Sequence, residues 1–153
     1  MNRKKTSIEP GGAIQMTSKE KAETLLLAAL SKKAFDPVLL RLDELTALTD
    51  YFLIFSGGSG KHVKSVAEAV IEDASKNKFQ RFSAEGVKLG NWALLDYGDV
   101  IVHVFQKPVR EFYDLEGLWA EAPREVFSED ISRQIEAGGK KDDEDEEQDS
   151  SWY

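Results

Sequence analysis

The sequence predicts a single α/β domain, a mixed and mostly five-stranded sheet packed with helices. Three stretches carry this reading. Residues 59–77 hold apolar side chains at helical spacing. Tyr51 to Phe55 is a run of five apolar residues that ends at Ser56 and two glycines. Asn91 to Gln106, NWALLDYGDVIVHVFQ, reads as two short apolar strands joined by a tight polar turn. Period and β-branched content separate helix from strand here.

Taken in order, the first helix starts at Thr17, because Thr17 with Glu20 has capping-box spacing. Ala22, Leu25, Leu26, Ala29 and Leu30 then form one apolar stripe, so Ser18 to Lys32 is predicted helical. Pro37 to Leu42 is a short strand. Asp43 to Thr49 is a connection with room for one helical turn. The continuous run Tyr51 to Phe55 predicts a central strand covered on both faces. The connection is short, so these two strands are expected to be antiparallel neighbours.

Ser59 to Asn77 is the clearest helix, with Ser59 as its cap. Val63, Val66, Ala67, Val70, Ile71 and Ala74 share one face, and Lys61, Lys64, Glu68 and Glu72 fall off it. Phe79 to Ala84 alternates weakly and is read as a third strand. The hairpin follows. Pro108 then suits the first turn of a last helix, with Phe112, Leu115, Leu118 and Trp119 as its apolar side. The order is α-β-β-α-β-β-β-α. The strand–helix–strand unit around residues 59–77 is expected to cross right-handed and to give one parallel pair.

In the hairpin, with Leu95 set opposite Val100, Trp92 falls opposite His103. Alternation sorts the side chains into two faces. One carries Ala93, Leu95, Val100, Val102 and Val104. The other carries Trp92, Leu94, Ile101, His103 and Phe105. Both are apolar and both need a cover. Three helices on five strands can cover one face well and the other in part.

Length sets the limit at one domain with tails, divided here as residues 1–16, 17–122 and 123–153. The outer two segments are expected to be disordered, the last as an acidic tail. Of the net charge of −8, residues 123–153 carry −7, from 4 Lys+Arg and 11 Asp+Glu. The body is near neutral, without the clustered basic residues that a phosphate-binding surface needs. Cysteine is absent, which excludes a disulfide framework and a thiol nucleophile and fits a reducing compartment. No apolar run approaches the ~20 residues of a membrane helix. MNRKKTSIEPGG is basic with no apolar segment behind it, unlike a secretory signal. Met16 offers a second start beside Met1.

Four kinds of chemistry can be tested against the residues. FSGGSGKHVKS stands where a phosphate loop would stand, yet the Walker spacing puts Phe55 at the first glycine and His62 at the hydroxyl. A tight turn into a helix is preferred. A metal-dependent nucleotidyltransferase would use Ser59 with Asp96 and Asp99. Those aspartates flank a turn, where they more often bond backbone. His62 and His103 are the only histidines, too few to ask for a metal. A triad of Ser56, His103 and Asp96 has no spacing in its favour. What remains is the hairpin face itself. Trp92 beside His103, Leu94 and Ile101, with Tyr97 on the turn, has the composition of an interface. Burying a Trp removes ~150–250 Å², worth about 4–6 kcal/mol at ~25 cal/mol/Å². On the residues alone, interface and ordinary core both stay open.

Several motifs in order resemble the ribosomal silencing factor family, also called Iojap-related, over roughly Lys21 to Trp119. Asp50-Tyr51-Phe52 opens the central strand, and Gly57-x-Ser59-x-x-His62-Val63 opens the long helix. Leu95-Asp96-Tyr97-Gly98-Asp99-Val100-Ile101-Val102-His103-Val104-Phe105 forms the hairpin, and Arg110-Glu111-Phe112-Tyr113-Asp114-Leu115-Glu116 with Leu118-Trp119 closes the set. The resemblance implies a nucleotidyltransferase-like α/β topology without catalytic residues, and neither cofactor nor metal.

It also implies a cytoplasmic, non-enzymatic translation repressor acting mainly in starved or stationary cells. Such a protein binds the large ribosomal subunit through its ribosomal protein fourteen and blocks joining of the small subunit. Nucleic acid is not the main contact, and a homodimer of the free protein is a further expectation. The resemblance places the partner contact on Trp92, Leu94, Asp96, Tyr97, Asp99 and His103. The two aspartates would meet basic groups of the partner.

Overall fold

The structure, a computed structural model, describes residues 16–127. Helix α1 (Ser18–Leu30) starts where the capping box places it. Glu20 N donates to Thr17 Oγ1 over 3.1 Å, and Thr17 N donates to Glu20 Oε1 over 3.0 Å. Strands β1 (Phe35–Arg41) and β2 (Tyr51–Gly57) are antiparallel neighbours, as their short connection requires. Helix α2 (Gly60–Lys76) follows, with Ser59 Oγ accepting from His62 N over 3.1 Å at its cap.

Strands β3 (Ser83–Glu85), β4 (Trp92–Asp96) and β5 (Val100–Gln106) come next. Helix α3 (Lys107–Tyr113) has Pro108 in its first turn, and α4 (Leu115–Leu118) and strand β6 (Arg124–Val126) complete the described fold.

The six strands form one mixed sheet in the order β3-β4-β5-β2-β1-β6. Only β2 and β5 are parallel, in register from Tyr51 with Val100 to Gly57 with Gln106. The crossover between them carries α2, β3 and β4.

Four sequence expectations are corrected. The sheet has a sixth strand, β6, paired with β1 beyond the expected boundary at residue 122. Its three exposed residues have too little apolar pattern to announce a strand; β1 supplies the pairing. The third strand is shorter and later than residues 79–84, because Phe79 N is spent on Ala74 O at the end of α2. The hairpin register is shifted by two: Trp92 pairs with Phe105, and Leu94 pairs with His103. A shift of two keeps every side chain on its expected face. The last helix is broken at Asp114, which adopts the left-handed conformation with φ 49°. Asp114 Oδ1 then accepts from Gly117 N over 3.1 Å and restarts the helix. The break turns Phe112 and Leu118 outward, so they do not form a packed side.

The two faces differ in cover. Leu39, Leu53, Phe55, Ala93, Leu95, Val100, Val102 and Val104 lie under α1 and α2 and are buried. On the other face Val38, Leu40, Phe52, Ile54, Ile101 and Phe105 form a second cluster, against which Trp92, Leu94, Val109, Leu115 and Trp119 pack in part. The short α3 and α4 cover this face incompletely. The expected asymmetry is present.

Candidate functional site

The half-covered face is centred on β4. Side chains of this strand alternate, with Ala93 and Leu95 buried and Trp92, Leu94 and Asp96 half-buried. The Trp92 indole lies between two rings, Phe105 at 4.7 Å and Tyr113 at 4.8 Å between centroids. Its Nε1–H donates to His103 Nδ1 over 3.1 Å.

His103 is itself buried, at 3% exposure. Its ring meets Phe52 edge to face at 4.5 Å. Because Nδ1 accepts, the neutral imidazole carries its proton on Nε2, which is buried and has no partner among the described residues. Burial lowers its pKa to about 3.

The six residues drawn from the sequence do not share one surface. Trp92, Leu94 and Asp96 are on the half-covered face; His103 lies beneath it. Tyr97 is buried at 2% exposure in the core under α1 and α2. Burial raises its phenol pKa, and the nearby charge of Arg81 opposes that rise. Asp99 turns toward α1, where Oδ1 pairs with Lys21 Nζ at 2.7 Å and Oδ2 accepts from Ser18 Oγ at 3.1 Å. Ser18 Oγ also lies 2.6 Å from Asp50 Oδ2. Asp99, half-buried, therefore fastens the hairpin to α1. Asp96 Oδ1 accepts from Gly98 N over 2.8 Å, the turn role its position favoured.

Sequence reasoning missed Tyr113, 51% exposed, together with Phe112 at 79% and Leu118 at 72%. Tyr113 adjoins Trp92, and Phe112 adjoins Tyr113 with ring centroids 5.0 Å apart. Read as one continuous helix, Phe112 and Leu118 looked like part of its packed side, and Tyr113 was given no place on it. The signal was present in Asp114-Leu115-Glu116-Gly117, where an Asp at N-cap spacing from Gly117 N restarts a helix and reorients what precedes it.

The nucleotidyltransferase set does not assemble. Ser59 follows the last residue of β2, while Asp96 and Asp99 precede the first residue of its parallel neighbour β5. Six residue steps of ~3.3 Å put those ends about 20 Å apart. The Gly-rich turn is closed by its own residues: His62 Nδ1 accepts from Gly58 N over 2.9 Å, and Nε2 donates to Lys32 O over 2.8 Å. The triad also fails, since Ser56 Oγ accepts from Arg110 over 2.8 Å and His103 Nδ1 is taken by Trp92.

Comparison with known proteins identifies the family. The family model described as "Ribosomal silencing factor during starvation" matches residues 15–152. A "Ribosomal silencing factor RsfS" of Bacillus subtilis is 38% identical over 108 residues, which cover 71% of this chain and 92% of that one. The protein of the same name from Halalkalibacterium halodurans is 36% identical with the same coverage. A crystal structure of a Chromobacterium violaceum protein superposes with a TM-score of 0.67 at 32% identity, covering 69% of this chain and 88% of the other. Fold, sequence motifs and family match converge, and the chain belongs to the ribosomal silencing factor family.

Proposed function

We propose that the protein silences translation by binding the large ribosomal subunit through ribosomal protein fourteen and sterically blocking the small subunit. The contact is the half-covered face, with Trp92 at its centre. Leu94 and Asp96 extend it along β4, and Tyr113, Phe112 and Leu118 extend it onto α3 and α4. The observation that carries this reading is Trp92, held half-buried between two rings and beside exposed aromatic side chains. Such a cluster has the makeup of an interface hot spot. Steric exclusion needs no catalytic residue, so the protein acts as a regulator rather than an enzyme, in the cytoplasm and under nutrient limitation.

Sedimentation with isolated subunits tests the reading. The wild type is expected to pellet with the large subunit and not with the small one, and Trp92→Ala to stay in the supernatant while remaining folded. Equal pelleting of both proteins would remove Trp92 from the contact. Failure of the wild type to pellet would remove the ribosomal target.

A further inference from the structure

Trp92 sits against Phe105 and Tyr113, but stacking alone does not fix an indole. A ring turned over about its last side-chain bond stacks about as well and presents a different edge outward. One polar contact breaks this degeneracy, the 3.1 Å bond from Trp92 Nε1–H to His103 Nδ1. It selects the orientation in which the N–H edge points into the sheet.

The acceptor comes at a cost. His103 is 3% exposed, and its Nε2 has no hydrogen-bond partner among the described residues. An unpaired buried N–H is unfavourable. A phenyl ring in its place would keep the contacts with Phe52 and Phe105 and avoid that cost. What a phenyl ring would not supply is an acceptor for Trp92.

We infer that His103 is a positioning residue, a buried neutral acceptor that locks the Trp92 indole in its binding orientation before the partner arrives. This rests on the proposed role of Trp92 in large-subunit binding, and goes beyond it by assigning a function to a residue the partner cannot touch. Pre-ordering one large side chain is worth roughly three- to tenfold in affinity.

The experiment uses the full chain and two variants. In the free protein, the Trp92 indole N–H resonance is expected to be single, sharp and slow to exchange with solvent. In His103→Phe it is expected to broaden or split and to exchange faster, while the amide signals of α1 and α2 stay in place. Large-subunit affinity is expected to fall roughly three- to tenfold. Trp92→Phe removes the donor while keeping a ring. It should also bind more weakly, and adding His103→Phe to it should weaken binding no further.

A sharp Trp92 signal in folded His103→Phe, with unchanged affinity, would overturn the inference. So would independent, additive losses in the double variant. If His103→Phe does not fold, Trp92→Phe decides: wild-type affinity in that variant would show that the hydrogen bond is not used. If the wild type itself does not bind the large subunit, the proposed function fails. The indole signal still reports, in the free protein, whether His103 holds the ring.

Discussion

Arg110 Nη1 donates to Ser56 Oγ over 2.8 Å and joins α3 to the central strand β2. The same nitrogen reaches Asp36 O at 2.8 Å. Nε and Nη2 both meet Glu116 Oε2, at 3.1 and 2.6 Å. One largely buried guanidinium thus holds α3, α4, β1 and β2 together beneath the half-covered face. The planar fork of an Arg suits this role, since Nε and Nη2 serve α4 while Nη1 serves β1 and β2.

Arg110→Met should therefore destabilise the fold by about 3 kcal/mol, because Glu116 and Ser56 lose a buried partner. Urea unfolding measures it as a lower midpoint at unchanged slope. Tyr113 rides on α3, so its packing against Trp92 should loosen as well. An unchanged midpoint would mean that α3 is held by apolar contacts alone.

The buried His103 makes stability depend on pH. Its folded pKa of about 3 lies below the usual 6.5, so between those values the unfolded chain binds more protons at this site. Stability from this group is complete above pH 6.5 and is lost as the pH falls toward 3. Between pH 7 and pH 5 the loss should be about 2 kcal/mol. Carboxylates contribute equally to both proteins when wild type is compared with His103→Phe. The difference in unfolding free energy should therefore move in favour of the variant by about that amount on acidification. A pH-independent difference would show that His103 is not buried as a neutral ring.

Gly90 takes a positive φ of 74°, and a Cβ there would press into the backbone of Gly60 at the start of α2. Its carbonyl also accepts from Gln106 Nε2 over 3.0 Å. Gly90→Ala is expected to cost more than the ~1–2 kcal/mol of a left-handed residue alone, because backbone must also move. Thermal unfolding should show a fall of several degrees. Gly58→Ala serves as the control, since an added Cβ meets only the His62 ring at 3.7 Å.

If the half-covered face is the contact, its energy should be concentrated. Trp92→Ala should cost at least ~2 kcal/mol of binding, about 30-fold in Kd, and Tyr113→Ala at least ~1 kcal/mol. Lys64→Ala, on the exposed side of α2, should change nothing. With an apolar contact at its centre, binding should weaken only modestly as salt rises. A slope as steep as many phosphate contacts give would count against it.

How far the sequence reveals this arrangement depends on which force places each residue. Periodic burial made α1, α2 and the two hairpin faces legible, and the continuous apolar run of β2 marked a strand covered on both faces. The register of β4 on β5 was not legible from the turn, since Tyr97 closes it by packing inward and donating from its N to Val100 O over 2.9 Å. Strand β6 was not legible because its partner, not its own residues, makes it a strand. At the site, Trp92 and Leu94 followed from alternation. Tyr97 and His103, which the resemblance set at the contact, are buried, and half-buried Asp99 is tied to α1; each is committed to tertiary packing or bonding that no local pattern announces. Phe112 and Leu118 were expected on a packed side because the helix break falls at Asp114, a non-glycine residue.

The most direct test is light scattering of subunit association, with purified small and large subunits mixed after the large subunit has met the protein. The wild type should reduce the joined fraction in proportion to its occupancy, and Trp92→Ala at the same concentration should leave joining as in buffer. Wild type that pellets with the large subunit yet leaves joining unchanged would contradict steric exclusion.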